Sequence, residues 1–178
     1  MVMRAASPIP FPVITTDVDA ALKASQDLLD RQLVLEGKFK IPAEVWSVTS
    51  YKELHRDAIA VDRQNTLDPA APLRASYFTE CLSPGPRGVV VAASDYMKAL
   101  PLSIARWSPH PLTALGTDGY GRSETRKALR DFFEVDAAHI TAAALGSLAR
   151  EGLLDPAQAA KGIAEMGVDA RRPDPWTR

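Results

Sequence analysis

Val18, Leu22, Ser25 and Leu29 fall on one face at helical spacing, mostly apolar, with Ala21, Leu28 and Leu33 beside them and a charged opposite face. This pattern predicts a helix capped by Asp17 and ending near Gly37. Strand formers then dominate Ala43-Glu-Val-Trp-Ser-Val-Thr-Ser50, and helical character resumes at Tyr51-Lys-Glu-Leu-His-Arg-Asp57. Pro69 and Pro72 punctuate the chain before a short helix through Tyr77 and Leu82, and Ser83-Pro-Gly-Pro-Arg-Gly88 reads as a loop. Val89-Val-Val-Ala-Ala93 is apolar on both faces, as a strand covered from both sides is.

Ser94 or Asp95 is expected to cap a helix reaching about Trp107, with Pro101 either in its first turns or kinking it. Leu112-Thr-Ala-Leu115 predicts a short strand. A glycine-rich loop then leads into a helix capped by Ser123, with Leu129, Phe132 and Phe133 as its buried stripe. Asp136 caps the next helix, which carries Ile140, Ala144 and Leu148 and closes at Gly152. Asp155-Pro156 opens another, running through Ala160, Ile163 and Ala164. Strands alternating with helices predict a three-layer α/β sandwich, its sheet mostly parallel with helices on both faces.

The same pattern divides the chain. Residues 1–16 hold Pro8, Pro10 and Pro12 without helical periodicity and read as an extended, proline-rich arm. Residues 17–168 form the α/β domain, and 169–178 a proline-containing tail. A length of 178 residues with 46% apolar content supports one good core. The formal charge of -1, from 21 basic and 22 acidic residues, gives no net field to draw a polyanion, so nucleic acid is not expected as a partner. No apolar run approaches the roughly 20 residues of a membrane helix. Cys81 is the single cysteine and cannot form an internal disulfide, which agrees with a reducing, cytoplasmic setting.

Candidate chemistry is sparse. His55, His110 and His139 lie far apart in sequence, none at ligand spacing from another or from Cys81, so no metal site is predicted. His139 reads as a packing residue and His110 as a loop residue between two prolines. Ser94 and Ser123 lack a Gly-x-Ser-x-Gly elbow, Cys81 reads as a buried thiol, and no catalytic residue is assigned. One local constellation supports two readings. Gly116, Gly119 and Gly121 follow neither the dinucleotide fingerprint nor the phosphate-loop pattern. Gly119, Gly121, Arg122 and Ser123 can nevertheless be read as an anion- or nucleotide-binding loop at a helix start. They can equally be a tight strand-to-helix turn. On the structural reading Gly121→Val should destabilise the fold and Arg122→Ala should not.

Three blocks carry a resemblance: Ala43-Glu-Val-Trp-Ser-Val-Thr-Ser-Tyr-Lys-Glu-Leu-His-Arg-Asp57, Val91-Ala-Ala-Ser-Asp-Tyr-Met-Lys-Ala-Leu100, and Leu115-Gly-Thr-Asp-Gly-Tyr-Gly-Arg-Ser-Glu-Thr-Arg126 with the following Phe132-Phe-Glu-Val-Asp136. Together they resemble the C-terminal domain of the homodimeric, bacterial-type decarboxylating component of pyruvate dehydrogenase, in the transketolase-like thiamine-diphosphate family. The resemblance covers about residues 43–168. It implies a transketolase C-terminal-like fold and, in full-length members, oxidative decarboxylation of pyruvate with thiamine diphosphate and magnesium held on further domains. Gln64 and Asp68 stand where that family usually has an aromatic residue and a histidine. The family's magnesium motif, Gly-Asp-Gly followed by an asparagine, does not occur in these 178 residues; Asn65 is the one asparagine, and it precedes the nearest candidate, Thr117-Asp-Gly119. The resemblance therefore implies an architectural domain, inactive alone, that partners cofactor-bearing domains or a second copy of itself.

Overall fold

The computed structural model describes residues 2–5, 13–15, 35–84 and 87–177. The predicted helix from Asp17 to Gly37 falls mostly outside them; residues 35–39, its end, are helical (α1). The strands are β1 (Val2–Ala5), β2 (Val13–Thr15), β3 (Ala43–Ser47), β4 (Val90–Ala93) and β5 (Leu112–Leu115). They form one sheet in the order β1-β3-β2-β4-β5. β2 runs parallel to β3 and β4, and β4 parallel to β5, with Val90 opposite Leu112 and Ala93 opposite Leu115. β1 is antiparallel to β3, pairing Val2 with Trp46 and Ala5 with Ala43. The proline-rich residues 1–16 thus contribute two extended segments to the sheet.

Helices connect and cover the strands: α2 (Tyr51–Leu67), α3 (Tyr77–Leu82), α4 (Ala99–Leu102), α5 (Arg126–Phe132), α6 (Ala137–Arg150) and α7 (Pro156–Glu165). Val89, Val90, Val91 and Ala92 are all fully buried. Successive strand residues point to opposite faces, so this run is shielded from both sides and the sheet is the middle of three layers. Leu35, Leu82, Ile104, Ile140 and Leu145 complete the fully buried large side chains beside it.

Most helix starts are where short polar side chains put them. Ser50 accepts the Glu53 amide at 3.2 Å, Ser76 the Thr79 amide at 3.3 Å, and Asp136 the His139 amide at 2.9 Å. Asp155 accepts the amides of Ala157 and Gln158, both at 3.0 Å, ahead of a helix whose first residue, Pro156, has no amide proton to satisfy. Ile140, Ala144 and Leu148 are buried as their spacing predicts.

Two expectations are corrected. No helix begins at Ser94 or Asp95; residues 94–98 form a loop, α4 begins at Ala99, and Ala105–Trp107 is a single 3-10 turn. The groups that a helix from Ser94 would need are committed elsewhere: the Tyr96 carbonyl accepts the Thr117 amide at 2.9 Å, and the Lys98 amide donates to Asp118 Oδ1 at 2.9 Å. A start at Ala99 also places Pro101 in the first turn, where its missing N–H costs nothing. Second, α5 is capped by Thr125, whose hydroxyl accepts the Ala128 amide at 3.3 Å, two residues later than Ser123. That start leaves Phe133 buried just after the helix, with Leu129 and Phe132 only half-buried. The helix opened by Asp155-Pro156 forms as expected, and α7 buries Ala159 and Gly162 while Ala160 and Ala164 are exposed. A Cβ on Gly162 would lie 2.6 Å from the Phe39 ring and 3.0 Å from Leu145, so a glycine there lets α7 approach α1 and α6 closely.

Candidate functional site

The carboxyl ends of β4 and β5 feed two loops that lock together. After β4, Ser94 donates its amide to the Leu115 carbonyl at 3.0 Å and accepts the Tyr96 amide on its hydroxyl at 3.1 Å. After β5, Thr117 donates its amide to Tyr96 and its hydroxyl to the Asp95 carbonyl at 2.8 Å. Asp118 binds the Lys98 amide and also sits 3.6 Å from the Lys98 ammonium. Gly116 is buried between them: a Cβ there would meet Tyr96 O at 2.4 Å and Lys98 N at 2.7 Å. Gly119 takes a φ of +97°, a conformation other residues reach only under strain.

Gly121 has neither property, since its φ is not in the left-handed region and nothing lies within 4 Å of a Cβ built on it. The expectation that Gly121 is the structural glycine is therefore corrected to Gly116 and Gly119. Gly119, Gly121, Arg122 and Ser123 are all exposed. Of the four, Gly121 and Arg122 border a cavity of 490 Å³, with Asp95, Thr117, Glu124, Arg126, Leu129, Arg130, Phe133 and Val135. The guanidinium of Arg122 stacks 4.0 Å from the Phe132 ring centroid, and Arg126 approaches Asp95 at 3.6 Å. Arg126 and Arg130 were not singled out from sequence; their four-residue spacing from Arg122 was the available signal.

The histidines are dispersed, as their sequence spacing implies. His55 meets Trp107 edge to face at 5.6 Å, and His110 Nε2 lies 3.2 Å from the Leu82 carbonyl. His139 Nδ1 is 2.7 Å from Asp136 Oδ1, with Asp131 close enough to make a three-ligand group. The hydrogen bond to Asp136 holds the imidazole above its ordinary pKa despite burial. Burial pushes Asp136 up, but side-chain and backbone hydrogen bonds from His139 outweigh it, and its net shift is downward. Asp131 is gripped by Arg172 at 3.0 and 2.9 Å, and this bond lowers its pKa. Both oxygens of Asp131 are thus engaged by one guanidinium, and the pair ties Arg172 to the domain. Cys81 is only half-buried, correcting the buried-thiol expectation; it lines a cleft of 680 Å³ with Trp46, Leu54, Tyr77 and Phe78.

Among the described residues, the two side chains that come nearest the family's magnesium motif, Asn65 and Asp118, are engaged within the chain. Asn65 donates its amide to the Arg74 carbonyl at 2.9 Å and accepts the Arg74 amide at 3.0 Å, so both ends of the side chain are used internally. Asp118 is likewise committed to Lys98. Gln64, in place of the expected aromatic, hydrogen-bonds the Arg74 guanidinium. Among the described residues no helix is long and apolar enough to cross a membrane.

A three-layer α/β domain whose strands β2 to β5 run parallel, with β1 antiparallel to both β3 and β4 and the loops after β4 and β5 locked together, is of the transketolase C-terminal class. Residues 16–136 match the family described as transketolase-like TK C-terminal domain, and the chain belongs to that family. It is 46% identical over 143 residues to the pyruvate dehydrogenase E1 component of Pseudomonas aeruginosa, covering 80% of this chain and 16% of that protein. It is 38% identical over 150 residues to the E1 component of Mycobacterium tuberculosis, covering 84% and 15% respectively. Against the E1 component of Escherichia coli strain K12 it is 38% identical over 143 residues, covering 80% and 16%. The chain thus spans about one sixth of the length of these relatives.

Proposed function

We propose that this chain supplies the C-terminal architectural domain of a pyruvate dehydrogenase E1 component, packing against cofactor-bearing domains and contributing to a dimer without performing catalysis alone. The observation that carries the reading is the family match over residues 16–136, within a chain spanning about one sixth of E1 components of known name. Two further features support it. Asn65 and Asp118, the side chains nearest to a metal motif, are committed to internal hydrogen bonds. Tyr96, Met97 and Tyr120 stand 63%, 60% and 96% exposed on the loops after β4 and β5, an apolar surface suited to a protein partner. Thiamine diphosphate and magnesium then belong to the partner domains.

The test mixes the purified chain with a polypeptide bearing the thiamine domains and follows pyruvate-dependent dye reduction alongside co-elution. Association with a rise in rate is expected, and the chain alone should show no rate. Absence of both association and rate change overturns the proposal, as does activity of the chain by itself.

A further inference from the structure

We infer that the 490 Å³ cavity beyond β4 and β5 is a binding site for a small organic anion, a phosphate or carboxylate carried on an apolar body. Arg126 and Arg130 stand four residues apart on α5, which places them about 6 Å along nearly the same face, and Arg122 comes from the loop just before that helix. All three border the cavity. In a chain whose formal charge is -1, three guanidinium groups around one cavity are a local concentration of positive charge. Guanidinium forks match the paired oxygens of phosphates and carboxylates, which lysines do less well.

Two of the arginines are preorganised. Arg130 donates to the Val135 carbonyl at 3.2 Å, and Arg122 is held over Phe132. Arg126 faces Asp95 at 3.6 Å with both side chains 53% exposed. A half-exposed pair of this length contributes little, so an incoming anion can take the place of the Asp95 carboxylate. Glu124 is the other acid on the rim. Leu129, Phe133 and Val135 supply the apolar wall, with Phe133 and Val135 buried.

Position in the fold is an independent support. Asp95 and Thr117 on the cavity wall immediately follow the loop starts beyond β4 and β5, so the cavity lies outside the carboxyl ends of parallel strands. Open α/β sheets bind ligands outside the carboxyl ends of their strands, the edge on which this cavity opens. The site uses two side-chain forks of α5 and one, Arg122, from the loop before it, with Gly119 and Ser123 outside its lining.

The experiment titrates the full chain with phenyl phosphate, inorganic phosphate and benzoate by calorimetry. Phenyl phosphate or benzoate should bind saturably, and the phosphate ester at least about tenfold tighter than inorganic phosphate because of its apolar body. Tighter phenyl phosphate assigns a phosphate ligand, and tighter benzoate a carboxylate. R126Q and R122Q should each weaken the better ligand about tenfold with an unchanged melting temperature, and R126K should fall between wild type and R126Q. The inference is overturned if neither aromatic anion saturates, if inorganic phosphate binds as well as phenyl phosphate, or if both glutamine variants bind like wild type. No partner is required, so the result is separate from that of the dye-reduction test.

Discussion

Replacing Gly116 by alanine should destabilise the domain by about 3 kcal/mol, whereas the same change at Gly121 should not destabilise it. The added Cβ at Gly116 would stand 2.4 Å from the Tyr96 carbonyl oxygen and 2.7 Å from the Lys98 nitrogen. Both neighbours are backbone, so no side-chain rotation relieves the overlap. The same two atoms accept from Thr117 and donate to Asp118, each at 2.9 Å. Moving the 94–98 loop away to admit the methyl group therefore weakens two hydrogen bonds, about 1 kcal/mol each, in addition to about 1 kcal/mol or more of overpacking. For a chain of this size that corresponds to a fall of about 6–12 °C in melting temperature. Gly121→Ala meets nothing within 4 Å and has no positive φ, so its effect should be within about 0.5 kcal/mol, or slightly stabilising through the unfolded chain. Urea and thermal unfolding followed by circular dichroism measure both. If Gly116→Ala melts with the wild type, or if Gly121→Ala is the damaging change, the locked-loop account is wrong.

The His139–Asp136 pair predicts a pH-dependent term. The folded pKa of His139 is raised, so its contribution is full below the unfolded value of about 6.5 and is lost as pH rises through the folded value. Asp136 is depressed, so its part is present above about pH 4 and fades as pH falls through its folded pKa. His139→Gln should accordingly lose about 1 kcal/mol relative to wild type near pH 5.5 and much less at pH 8, read from denaturant midpoints; equal losses at both pH values would reject the pairing. Asn65→Ala removes both hydrogen bonds that clamp Arg74, and should cost about 1 kcal/mol while making the 68–75 segment more sensitive to protease. An unchanged cleavage pattern would show that the segment is held by other contacts.

Local chemistry was legible wherever its effect stays within one turn. The caps at Asp136 and Asp155, the buried run ending at Ala92 and the short helix Tyr77–Leu82 follow from neighbours in sequence. The cap of α5 was not, because Ser123 and Thr125 offer equivalent hydroxyls and the choice depends on where the chain leaves the locked loops. Nor does spacing settle the buried side of α7, which is chosen by Phe39 and Leu145 from distant parts of the chain. Sequence also found the Gly116–Ser123 segment as the distinctive stretch and gave its two readings. It did not show that Arg122, Arg126 and Arg130 share a cavity with Asp95, which is 27 positions from Arg122 along the chain.

Periodicity, caps and the three motif blocks are sufficient by themselves to determine the fold class and the family of this protein, since helices, strands and turns are set largely by interactions between residues a few positions apart. Tertiary structure alone decides which glycine is indispensable and where the arginines converge. The Cβ of residue 116 is excluded by backbone from residues 96–98, and the helix from Ser94 is lost to the same contact. Such exclusions arise between segments distant in the chain, and no local pattern encodes them.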